Sequence, residues 1–154
     1  MFYRVFVVLL MLYATSAHSE WRLTYHDINR VYDGDTFFIE LKGLPPIFGH
    51  DLPIRVADMD APELRSRCST DTLKAKERAY GAQARDFFVD RLNQAEEIRI
   101  FNLRRDSFFR IIADVELDGV DIKKIMLDAG YAQTAVNGVI TGWCNDPRVV
   151  NLVL

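Results

Sequence analysis

The stretch that most limits the fold is TDTLKAKERAYGAQARDFFVDRLNQ, residues 70 to 94. Thr70 or Asp71 can cap it, and Tyr80, Ala84, Phe87, Phe88 and Arg91 recur at helical spacing on one face. This spacing predicts one long helix, and the segments on either side read as strands. Before it, Asp33-Gly34 marks a turn between Arg30-Val31-Tyr32 and Thr36-Phe37-Phe38-Ile39. LKGLPPIFGH reads as a loop, punctuated by Gly43, Pro45, Pro46 and Gly49, and DLPIRVADM as a third strand. After the helix, EEIRIFNLRRD and SFFRIIADVEL alternate as strands, and Asp118-Gly119 is a turn. DIKKIMLDAGYA follows as a short helix, with Ile122, Ile125, Met126 and Ala129 on one face and Gly130 as its stop. Three strands, a helix, two strands and a helix fit a small closed barrel of five antiparallel strands.

The chain begins with MFYR, runs through the apolar VFVVLLMLYA and reaches the small, polar TSAHSE. Basic start, apolar middle and small residues before a cut are the order of a secretory leader. Cleavage after Ala17 or Ser19 fits, so residues 1–19 are set aside as a signal peptide and 20–154 taken as one domain. The alternatives are an apolar first strand or an uncut anchor, although the run is short for a membrane span. A cleaved leader places the product in the periplasm or the medium, with no stable membrane association. It also places the two cysteines, Cys68 and Cys144, in an oxidising compartment, where they allow one intramolecular bridge. Two free buried thiols are the other reading. Formal net charge is −3, and becomes −4 once Arg4 leaves with the leader. That balance gives no general attraction to nucleic acid, so a polyanion site must be a local cluster of arginines and lysines.

Chemistry concentrates in IRVADMDAPE, residues 54 to 63. Asp35 follows the Asp33-Gly34 turn and Asp60 ends the third strand. If those strands are neighbours, the two carboxylates meet at one rim of the barrel. Two carboxylates with a backbone carbonyl make an oxygen-only site suited to a hard cation. By spacing alone, ordinary turn formation explains both aspartates. The histidines, His18, His26 and His50, have no zinc spacing. Arg55 and Arg110 each interrupt an apolar strand, PIRVA and FFRIIA; each must face solvent, pair with a carboxylate or bind an anion. Glu63, after Pro62, is by itself a surface turn residue.

Taken together, VYDGDTFFI, IRVADMDAPELR, DSFFRIIADV and MLDAGYA resemble the staphylococcal nuclease family, in the family's order and over about residues 24 to 132. The resemblance implies an oligonucleotide-binding-type barrel carrying a calcium-dependent phosphodiesterase site. It implies that Asp35 and Asp60 supply calcium carboxylates and Ala61 a backbone carbonyl. It implies that Arg55, Glu63 and Arg110 are the catalytic arginine, glutamate and second arginine. Calcium over magnesium or manganese follows from the resemblance alone, as do a DNA or RNA substrate and low sequence preference. The product is expected to be a monomer.

Phe108 and Phe109 stand where the family usually has tyrosine and glycine before the second arginine. From about residue 133 the chain reads QTAVNGVITGWCNDPRVVNLVL, an irregular tail without the tyrosines that line the family's nucleotide pocket. TGWC is similar to the ending of shorter exported bacterial relatives, and in that comparison Cys144 ties the tail to Cys68. Trp143 is either a core plug or a platform for a base. Arg65, Arg67, Lys74, Lys76, Arg78, Arg104 and Arg105 could line a phosphate track, or be ordinary solvated charge beside Glu77, Asp86 and Asp90. Two functions therefore compete: an exported nuclease, and a nuclease-like barrel that binds nucleic acid or a protein without turnover.

Overall fold

The computed structural model describes residues 19–134 and 140–154. The expected leader, except Ser19, lies outside them, as does part of the expected tail. Seven strands and four α-helices follow one another: β1 (Trp21–Leu23), β2 (Ile28–Val31), β3 (Thr36–Ile39), α1 (Pro46–Gly49), β4 (Leu52–Val56), α2 (Asp71–Gln94), β5 (Ile98–Arg105), β6 (Ile111–Leu117), β7 (Val120–Asp121), α3 (Ile122–Asp128) and α4 (Pro147–Val150).

The long helix forms as its sequence predicts. The Thr70 side chain accepts from Leu73 N at 3.2 Å, closing the first turn. Its buried stripe is Glu77, Tyr80, Gly81, Ala84, Phe88 and Leu92. The face thus runs through Leu92 rather than Arg91, and Glu77, expected in solvent, is inside. β6 alternates buried and half-buried residues without a break, with Ile111, Ala113, Val115 and Leu117 inward. Asp118 and Gly119 both take positive φ, 49° and 80°, between the paired Leu117 and Val120. That is the two-residue turn whose twist suits a hairpin.

The sheet order is β1-β5-β6-β4-β3-β2, with β7 on β6. The fold is a mainly β half-barrel of oligonucleotide-binding type, and it corrects three expectations. Among the described residues there are seven strands, not five, because Trp21–Leu23 pairs with β5 and Val120–Asp121 folds back on β6. The sheet is an open path, with no pairing of β1 to β2 among the described residues. β4 and β6 run parallel, Arg55 lying opposite Ile112. The reason is topological: α2 carries the chain across the barrel, and the β5–β6 hairpin then lays β6 beside β4 in the same direction. The loop before β4 also contains a short helix, α1, opened by Pro46 at a position where a missing N–H costs nothing.

The core joins Phe37, Ile39, Ile54, Phe88, Ile100 and Met126, with the Phe37 and Phe88 rings edge-to-face at 5.8 Å. A second small cluster, Tyr80, Trp143 and Val149, lies under the tail. Cys68 and Cys144 form a disulfide with Cα atoms 5.4 Å apart, across 76 residues. On the chain-entropy view a loop of this length stabilises the fold by roughly 4 kcal/mol. Among the described residues no helix is long and apolar enough to cross a membrane.

Candidate active site

The site begins with two glycines that have no room for a side chain. A Cβ on Gly34 would lie 2.7 Å from the Ala61 Cβ and 3.2 Å from the Ala84 Cβ. A Cβ on Gly81 would lie 2.7 Å from the Pro62 carbonyl oxygen. Helix α2 therefore presses its backbone against the turn 61–63, and the Asp33-Gly34 loop presses on the same turn from the other side. Local sequence shapes that loop: Tyr32 N and Asp33 N both donate to Thr36 O, and Asp35 N donates to Asp33 Oδ1 at 3.2 Å.

This packing brings Asp35, Arg55 and Asp60 together. Asp35 is buried, and its Oδ1 accepts from Arg55 Nη1 and from Thr36 Oγ1, each at 2.7 Å. Its Oδ2 accepts from the Ala61 N–H at 3.0 Å. Asp60 Oδ1 accepts from Arg55 Nη2 at 3.0 Å. One guanidinium thus holds an oxygen of each aspartate, so both oxygens face the same point. β3 and β4 are neighbours as expected, with Thr36 opposite Arg55.

Asp35 and Asp60 meet on Arg55, and Asp33 and Glu63 lie near enough for their charges to act on this pair or on each other. Burial, and then the charge of Asp33, push the Asp35 carboxyl up to about 7 against the pull of Arg55. Burial also raises Asp60 and Glu63, each further pushed by the charge of Asp35. Burial raises Asp33 as well. The donors are all oxygen, and negative charge exceeds what Arg55 balances. A hard divalent cation relieves that excess, so the residues present fit the ion the resemblance implies.

A pH dependence follows. The unfolded carboxylates ionise in the ordinary range, while the folded cluster keeps protons to higher pH. The folded state therefore binds more protons in between, and stability falls as pH rises toward the Asp35 value. Asp27, Asp51 and Asp146, lowered by hydrogen bonds to Thr24, Arg30 and Arg148, act in the more acid range. In chelator, the melting temperature is expected to fall from about pH 5 to about pH 8, and calcium to restore more of it at the higher pH. Scanning calorimetry checks this; a melting temperature that rises across the window contradicts it.

Arg55, Glu63 and Arg110 line one cleft of about 290 Å³, with Tyr32, Thr36 and Phe38 in its wall. Arg110 is also held from behind. Asp106 accepts from Arg110 Nε at 2.8 Å and from the Arg110 and Phe108 N–H groups at 2.9 Å each. Phe109 takes φ +63°, a left-handed conformation that costs a side-chain-bearing residue roughly 1–2 kcal/mol. The turn before Arg110 thus has a glycine-like backbone, built with a phenylalanine. Phe108 and Phe109 are both exposed.

The basic residues divide. Arg104 and Arg105 share a second cleft, of about 390 Å³, with Arg55. A β5 irregularity between Phe101 and Arg104 shifts the register there. Lys76 instead reaches the Val150 carbonyl and Lys74 pairs with Asp71, so these two are engaged away from the clefts. Arg65 and Arg67 stay exposed beyond the turn.

Three contacts were not legible in the sequence. Trp143 is buried, and its indole N–H donates to Asp60 Oδ2 at 3.1 Å, so it is a plug that touches the site. Glu77, buried in α2, accepts from the Glu63 N–H at 3.4 Å. It lies against Cys68 and Cys144, whose sulfurs are bonded to each other and are not a free ligand set. Asp33 is buried rather than a simple turn former. In the sequence Asp33 is marked only as a turn former, Trp143 only as a core plug or a base platform, and Glu77 only as a charge on the helix face.

A search of curated proteins found no match. A family model described as staphylococcal nuclease homologue matches residues 53–141, which is more than half of the chain. The match contains Arg55, Asp60, Ala61, Glu63 and Arg110, and begins after Asp35. Asp35 lies outside the match and is joined to Arg55 by a hydrogen bond at 2.7 Å; on a match over more than half of its length, the chain belongs to the staphylococcal nuclease homologue family.

Proposed function

We propose that this chain is a calcium-dependent nuclease that hydrolyses phosphodiester bonds of DNA or RNA with little sequence preference. One observation carries the reading: Arg55, Glu63 and Arg110 share a cleft while Arg55 also holds Asp35 and Asp60. Asp35, Asp60 and the Ala61 carbonyl would hold the ion. When bound, it supplies Lewis-acid polarisation of a phosphate oxygen. Arg55 and Arg110 hold the non-bridging oxygens and stabilise the charge that grows in the transition state. Glu63 orients or deprotonates the attacking water, and its raised affinity for protons places that service above the ordinary carboxylate range. Arg104 and Arg105 extend the positive surface along the substrate backbone. We further propose that residues 1–19 are removed on export and that the mature protein acts as a soluble monomer in the periplasm or the medium.

The grip of Asp106 on Arg110 favours a second reading, in which the barrel binds nucleic acid or a protein without turnover. A fluorogenic oligonucleotide, titrated with calcium against a chelator, separates the two. The nuclease reading expects cleavage that appears with calcium and stops with chelator. Tight binding without cleavage in calcium, magnesium and manganese selects the binding module. Equal cleavage in chelator overturns the metal dependence.

A further inference from the structure

Asp60 is clamped from the tail side at both backbone and side chain. Asp60 N donates to Gln133 O, and Gln133 N donates back to Asp60 O, both at 2.9 Å. The Gln133 side chain donates to Asp146 at 2.7 Å, and Asp146 in turn holds Arg148. Arg148 lies over the Trp143 ring, 4.7 Å from its centre. The indole beneath it is 2 % exposed and spends its single N–H on Asp60 Oδ2. The next residue is Cys144, bonded to Cys68.

A carboxylate on a short stem can rotate about its last bond, and each orientation offers a different oxygen. Here the two oxygens have different duties. Oδ2 accepts from the indole, and Oδ1 accepts from Arg55 Nη2, the guanidinium whose Nη1 donates to Asp35 Oδ1. An indole has one donor and no acceptor, so it can fix a carboxylate without competing for a cation. A buried ring cannot follow a rotating partner, so the orientation is preset rather than induced.

We infer that Trp143 is a positioning residue for the cation site: it turns Asp60 Oδ1 toward Asp35, and the Cys68–Cys144 bridge beside it holds the indole in place. The inference rests on the reading of Asp35 and Asp60 as cation ligands. Outer partners of ligating groups typically change metal affinity by 10–100-fold when removed. Trp143→Phe keeps an aromatic ring there and removes the N–H together with the five-membered part of the buried indole.

The test is calorimetric titration of the oxidised protein with calcium chloride, parent beside Trp143→Phe, without substrate. About tenfold or more weaker binding in the folded variant is the expected result. Equal affinity overturns the positioning role and leaves the cation site standing. No binding by the parent overturns the cation reading itself, and the inference with it. Should the variant fail to fold by circular dichroism, the Trp143 indole N–H resonance of the parent decides. Calcium is expected to shift it, and an unmoved resonance overturns the inference.

Discussion

Replacing Arg55 with alanine is expected to cost both stability and activity, and by more than any other single change at the site. Among the described residues the guanidinium is the one cation shared by Asp35 and Asp60, at 2.7 Å and 3.0 Å. Removing one partner of a buried ion pair leaves uncompensated charge and typically costs about 3–5 kcal/mol. Here two carboxylates are left, with Asp33 behind them. Part of the cost is avoided by protonation, so the loss should be largest near about pH 8 and shrink toward about pH 5. The sign is fixed by direction: without Arg55 the folded carboxylates hold protons to still higher pH, so stability drains away as pH rises. Denaturant unfolding at both pH values measures this. Cleavage should fall with it, because the same group holds phosphate in the proposed mechanism. Lysine should restore part of the stability and little of the activity, since its point charge cannot span two carboxylates. An alanine variant with unchanged unfolding free energy at the higher pH would mean that the pairing is not compensating buried charge.

Glu63→Gln should separate the two properties. No other side chain holds the Glu63 carboxylate among the described hydrogen bonds; only its backbone N–H is engaged, by Glu77. Its charge is repelled by Asp35 and Asp60. The isosteric amide removes that repulsion, so the variant is expected to be at least as stable as the parent. Loss of a positioned acid–base group typically lowers a rate by about 10²–10⁴. A protein that unfolds no earlier and cleaves at least a hundredfold more slowly is the expected outcome, read by single-turnover cleavage beside thermal unfolding. Activity within a few-fold of the parent would remove Glu63 from the mechanism.

The sequence reveals what local chemistry can encode. The cap at Thr70, the periodicity of α2, the Asp118-Gly119 turn and the alternation of β6 are all readable, because each depends on neighbours a few residues away. Arg55 stands out as a charge in an apolar strand. The parallel β4–β6 pair does not, since nothing in either strand names its partner. β1 is only three residues long, too short for its Trp21-Arg22-Leu23 alternation to mark it. Glu77 looks like one more charge on a solvated helix, and only the turn and the disulfide packed over it make it interior. Trp143 and Asp60 lie 83 residues apart, so their contact exists only once the tail is docked. The candidate site is therefore legible as a set of residues and illegible as a set of orientations.

The contact among Gly34, Ala61, Gly81 and Pro62 has a consequence for anyone seeking altered activity by random mutagenesis. The reactive turn is braced by main chain and methyl groups, with no adjustable side chain to absorb an error. Libraries will accept variety along the cleft walls, at Tyr32, Phe38 or Arg104. At Gly34 and Gly81 the alphabet is close to one letter each, because an added Cβ would lie 2.7 Å from Ala61 or from the Pro62 carbonyl and must move the turn that carries Asp60 and Glu63. In the proposed nuclease, substrate range can therefore drift while the geometry of the turn stays fixed, a division of labour written into backbone spacing.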